Sequence, residues 1–189
     1  MSNSLFLTAM SLIKDLPYSF RKRCEAIASE QRSAIRIRAF NACPARLLAE
    51  ALQVTIMLPN EIPNSDPQQL ALLTNSDSWS AGIVRKNPTW IVYNPRHSST
   101  RWEASIMHEI AHILLQHQPV GFDRTTGLPL RHYRNEQEAN FLGGCLQIPR
   151  RGLLWAAQNK MNRCEVAQHF LASKAMVNCR CNITGVKLE

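Results

Sequence analysis

Between Trp102 and His117 the chain runs WEASIMHEIAHILLQH, an apolar helical pattern broken by His108, Glu109 and His112. Ile106, Ile110, Ile113 and Leu114 recur at helical spacing, so the segment packs against a core and its polar residues cannot all be solvated. A buried carboxylate and two buried imidazoles cost free energy unless they have partners, which marks the interruption as chemical in purpose. Four positions on an α-helix turn through about 400°, so His108 and His112 project from one side, one turn apart, and both can reach one tetrahedral ion. Glu109 lies about 100° round from His108, beside such an ion but off the ligand direction, where it can take a proton from water. His-Glu-x-x-His on a helix therefore predicts a hydrolytic centre holding one Zn2+ per chain, with His108 and His112 as ligands and Glu109 as general base. His117, nine positions beyond His108, is expected on the opposite side, near the helix C-terminus, and not as a ligand.

A catalytic zinc takes a third protein ligand and keeps one position open. The next carboxylates are Asp123, Glu136 and Glu138, the last two in the helical stretch RNEQEANFLGGCLQI that stops before Pro149. A donor for the oxyanion is not singled out: His132, Tyr133 and Arg101 are within reach in sequence, each with an ordinary structural reading.

Elsewhere the pattern predicts an α+β fold, a small antiparallel sheet packed against a helix-rich core. NACPARLLAEALQ reads as an amphipathic helix with Leu47, Leu48, Ala51 and Leu52 on its apolar face, and VTIML, Val54 to Leu58, reads as a strand. A helix through QQLALL follows, then AGIVRK and TWIVYN as two antiparallel strands around the turn at Asn87 and Pro88. RGLLWAAQ, RCEVAQHFLA and SKAMVNCRCN end the chain as three short helices.

The two motif stretches together, RWEASIMHEIAHILLQH and EQEANFLGGCLQIP, resemble the ImmA/IrrE family of zinc metallo-endopeptidases. In that family a Glu-x-x-Ala-Asn element follows the His-Glu-x-x-His helix, and here its positions are Glu136, Ala139 and Asn140. Gly143 and Gly144 stand where alanines are usual, at up to about 1 kcal/mol each in helix propensity. Leu142 replaces an aromatic residue, and Gln147 an apolar one. The resemblance reaches from about Ala45 to the C-terminus. It implies a zincin-like core, Glu136 as third metal ligand, and a cytoplasmic peptidase whose protein substrate is a helix-turn-helix repressor. Helix phase agrees on the ligand: Asn140 and Gly143 lie within about 40° of Glu136, giving that side a polar support and a residue without a side chain. Ala139, Leu142 and Leu146 form the expected core stripe, whereas Glu138 shares with Cys145 a side expected to face solvent. A single domain over 1–189 is expected, with an N-terminal extension 1–44, a motif-bearing core of about 45–150 and a helical part 151–189. TWIVYN is the strand expected to offer an edge to an extended peptide.

Composition bounds the alternatives. A formal charge of +8 favours acidic partners or nucleic acid, but the basic residues are scattered. The densest run, Phe20 to Phe40, is interrupted by Glu25 and Glu30 and reads as a solvated helix face. RCEVAQHFLASKAMVNCR resembles a helix-turn-helix around Ala172 and Ser173, yet only Lys174 lies near the start of its second helix, so direct binding of nucleic acid is not expected. A metal-containing module that binds a transcription factor or DNA without proteolysis is the rival reading. The six cysteines show no disulfide framework, and free thiols suit a reducing cytoplasm. The apolar patch in the first nineteen residues has no preceding basic residue and is too short to span a membrane, so no membrane partner is expected.

Overall fold

A computed structural model describes residues 16–124 and 128–189. Most of the N-terminal apolar patch, residues 1–15, lies outside the described residues. No helix among them is long and apolar enough to cross a membrane.

The fold is α+β. Helix α1, Tyr18–Ala34, precedes α2, Ala45–Ala51, and strand β1, Val54–Met57. A 3-10 turn, Pro59–Glu61, and α3, Pro67–Asn75, lead to the hairpin of β2, Ala81–Lys86, and β3, Thr89–Tyr93. The long helix α4, Ser99–Leu114, follows, then the short pair β4, Gly121–Phe122, and β5, Pro129–Leu130. Helices α5, Tyr133–Gln147, α6, Arg150–Gln158, α7, Arg163–His169, and α8, Lys174–Thr184, complete it.

The three-stranded sheet has the order β1-β3-β2 and is mixed, not antiparallel throughout. β2 and β3 pair antiparallel as the hairpin pattern requires, with Ile83 opposite Ile91 and a bulge before Arg85. β1 instead runs parallel to β3, with Val54 opposite Thr89, because the connection through α3 enters β2 in the opposite direction and the hairpin then turns the chain back. TWIVYN is therefore the central strand, and the edge next to the metal helix is β2. Central position matches its burial on both faces: Ile91 and Tyr93 join the main core, while Val92 packs with Leu73, Trp79 and Leu128 on the other side. In α2 the buried residues are Ala45, Leu48 and Ala49, and Leu47 is exposed, one step from the expected stripe.

The main core forms where α4 crosses α5 over the sheet. Ile106, Met107, Ile110 and Ala111 of α4 meet Ala139, Leu142 and Leu146 of α5, all nearly without exposure. The predicted α5 stripe is thus buried, but so are Phe141 and Cys145, because α1 packs along the far side of α5. The side expected to face solvent is covered. α1 is likewise more than a solvated face: Arg32 is 1% exposed and donates from Nη1 to the Leu146 carbonyl at 2.7 Å, and Glu25 pairs with buried Arg180. All six cysteines are free, five of them buried.

Two small contacts set the position of α4 and α5. Glu103 on α4 accepts the Ala45 backbone N–H at 2.7 Å, tying the start of α2 to the metal helix. At Gly143, a Cβ would lie 3.2 Å from the Met107 carbonyl carbon and oxygen and from the His108 nitrogen. The glycine lets backbone meet backbone, and its cost in helix propensity is offset by this approach. Gly143→Val is expected to destabilise the protein by about 1–3 kcal/mol by forcing the helices apart, read by urea unfolding, whereas unchanged stability would mean that the gap tolerates a side chain.

Candidate metal centre

The α4–α5 crossing brings His108 and His112 against Glu136. His108 Nε2 and His112 Nε2 lie 3.0 Å apart, Glu136 Oε2 is 3.1 Å from His108 Nε2, and Glu136 Oε1 is 3.2 Å from His112 Nε2. Adjacent ligands of a tetrahedral zinc with bonds of ~2.0–2.1 Å stand about 3.3 Å apart, so the triangle has the dimensions of one face of such a shell. Among the described residues this is the one group of three His, Cys, Asp or Glu side chains whose donor atoms converge closely enough to hold a metal ion.

The outer nitrogens show why an ion fits. His108 Nδ1 lies 3.0 Å from Asn140 Oδ1, which can only accept, so Nδ1 carries the proton and Nε2 presents a lone pair. His112 Nδ1 meets His117 Nδ1 at 2.9 Å, and His117 Nε2 meets Glu138 Oε2 at 3.3 Å. Glu138 also accepts from Arg134 Nε at 2.8 Å and stays a carboxylate acceptor, so His117 donates from Nε2 and accepts at Nδ1 from His112. His112 Nε2 is then a lone pair as well. Two imidazole lone pairs and a carboxylate converging within 3.2 Å need a shared cation.

Charges in the site agree. Burial drives His112 down to about 4, against the opposing pull of Glu136, which keeps its ring neutral near neutral pH. Burial also lowers His117. Burial would raise Glu136, but the adjacent His108 and His112 outweigh it and hold the carboxyl well below its ordinary range. For His108 burial is outweighed in the other direction, by Glu136 and the charge of Glu109, and its pKa is raised. In the bare site a proton takes the position of an ion, and metal binding must displace it.

Glu109 stands beside this triangle, 4% exposed and outside the ligand group. Burial raises its pKa, while His108, Arg131 and the Ile83 main chain of β2 favour its charged form. Arg131, with a side chain 4% exposed, places Nη2 3.5 Å from Glu109 Oε2. Sequence reasoning missed Arg131: it stands alone between β5 and α5, where no periodicity marks it. His117 was placed on the wrong side. The α4 helix stops at Leu114, Gln116 takes a left-handed turn with φ 57°, and the chain folds back so that His117 reaches His112. Glu138 consequently supports the site instead of facing solvent.

Of the named donor candidates, Arg101 bonds Ser80 Oγ at 3.0 Å, while His132 and Tyr133 are exposed at the start of α5, the helix that carries Glu136. Asp123 sits by the β4–β5 pair, where its N–H bonds the Leu128 carbonyl, and is not in the ligand group.

An α+β core with His-Glu-x-x-His on one helix and a facing carboxylate on the next defines a metallopeptidase-type centre. A peptidase family model, the IrrE N-terminal-like domain, matches residues 49–182, and the chain belongs to that family. No curated protein and no solved structure matches it significantly.

Glu136→Ala is expected to abolish tight metal binding, whereas His117→Ala and Asn140→Ala should each weaken it by about 10–100-fold by freeing an imidazole to turn. Competition titration with a zinc chelator measures this, and wild-type affinity in both outer variants would show that they do not orient the ligands.

Proposed function

We propose that the protein is a zinc-dependent endopeptidase in which His108, His112 and Glu136 hold the ion and Glu109 is the general base. The convergence of three lone-pair donors, with a buried carboxylate next to them, supports this most directly. Zinc suits two neutral imidazoles and one carboxylate in a three-ligand set with an open position. The ion would lower the pKa of a water toward neutrality and polarise the scissile carbonyl.

The chain's own residues do the rest. Glu109 takes the proton of the attacking water and delivers it to the departing amine, and its raised pKa suits a group that must hold that proton in between. Arg131 keeps the carboxylate charged before the attack and oriented by its guanidinium. Asn140 and His117 fix the ring planes of His108 and His112. The substrate backbone pairs in extended form with β2, an edge strand whose Ile83 lies beside Glu109, so main-chain hydrogen bonds hold the peptide across the centre. The substrate class we infer is a DNA-binding regulatory protein, the class that the family resemblance implies.

Glu109→Gln keeps the shape of the side chain and removes its basicity. It should retain one zinc per chain while cleavage of a repressor substrate falls by about 10²–10⁴-fold. Zinc content by elemental analysis and cleavage by mass spectrometry separate the readings: cleavage at the native rate would remove Glu109 as base, and zinc binding without any proteolysis in the native chain would favour the regulatory module.

A further inference from the structure

Away from the metal centre, α1, the turn after it, the start of α6 and the end of α8 enclose a cleft of about 1140 Å³. Arg21, Lys22, Arg32, Arg38, Arg150 and Arg151 line it, and Glu25 is its only carboxylate among the described residues. Glu25 does not neutralise them: Oε1 is engaged by Arg180, and Oε2 accepts the Arg150 backbone N–H at 3.0 Å. Arg32 is 1% exposed, its Nη1 and Nη2 donate to the carbonyls of Leu146, Arg38 and Asn41, and no carboxylate among the described residues pairs with it. Those carbonyls hold the Arg32 guanidinium but leave its charge without a counter-ion, which adds to the positive potential of the cleft wall. Arg32 Nε and Arg21 Nε are both buried without a hydrogen-bond partner among the described residues. Aromatic rings share the wall: Tyr18, 73% exposed, with Phe40 and Phe141. Phe40 stacks on Trp155 with centroids 5.7 Å apart, which holds it in place.

We propose that this cleft is a binding site for a nucleotide-like ligand, its phosphates on Arg21 and Arg38, with the buried charge of Arg32 behind them, and its base against the aromatic wall. Guanidinium forks match phosphate oxygens in geometry and charge, and a flat ring recovers area on Tyr18 or Phe40. A cleft of this size admits one nucleotide. The proposal does not rest on proteolysis.

Calorimetric titration of the full zinc-loaded chain with ADP, pyrophosphate and adenosine tests it. ADP should bind once per chain, pyrophosphate more weakly, and adenosine not measurably. Arg32→Ala removes three hydrogen bonds made by a buried side chain and so perturbs the fold, and the informative change is Arg21→Gln with Arg38→Gln, both nearer the surface. That pair should weaken ADP by about tenfold or more, the loss of at least one charge-assisted bond, without changing zinc content or the unfolding midpoint. Tyr18→Ala should weaken ADP but not pyrophosphate. His108→Ala, stripped of metal, should bind ADP with unchanged affinity. Absence of saturable ADP binding, indifference to the arginine pair, or loss in His108→Ala would overturn the proposal. So would tight binding of a single-stranded oligonucleotide that ADP does not displace, since that would make the cleft a polyanion surface.

Discussion

The approach of α5 to α4 at Gly143 is the contact on which the candidate metal centre depends. His108 and His112 need no help to share one side of α4, since helix geometry places them there. Glu136 has to come from another helix, and its carboxylate reaches two imidazoles at 3.1 and 3.2 Å because the backbones meet closely two turns further along α5. Ala139, Leu142 and Leu146 bury the stripe next to it, and α1 and α8 pack behind α5, so the ligand helix is braced from both sides.

Around the ligands lies a second set of polar contacts whose direction is fixed by what each group can donate. Asn140 and Glu138 act as acceptors, so the proton of each imidazole faces outward and the lone pair inward. Burial then keeps His112 and His117 neutral, while the two histidines keep Glu136 ionised. The result is a site preset for a cation, with Arg131 and Glu109 forming a separate buried pair at its side. That pair keeps the candidate base close to the ligands without making it one of them.

Much of this was legible in the sequence because it is local. The helices, the hairpin at Asn87 and Pro88, the projection of His108 and His112, and the glycine side of α5 follow from periodicity and turn chemistry within a few residues. What was not legible depends on chain reversals. β1 pairs parallel to β3 through a crossover, so the strand expected at an edge is central. Gln116 in the left-handed region turns His117 back onto His112, a reversal that a straight continuation of the helix does not contain. Cys145 and Glu138 are covered by distant partners, α1 and the returning His117, and Arg131 enters from a connection with no pattern of its own. The α1 run of positive charge looked solvated because nothing in it announces that Arg32 is buried against Leu146.

The proposed centre takes its ion on two imidazoles and one carboxylate, and on none of the six thiols. X-ray absorption at the zinc edge of the purified, zinc-loaded chain measures this directly. The expected spectrum has only light-atom neighbours at about 2.0–2.1 Å, with the outer-shell scattering of two imidazoles. A sulfur shell at about 2.3 Å, or scattering from fewer than two imidazoles, would place the ion elsewhere and contradict the account.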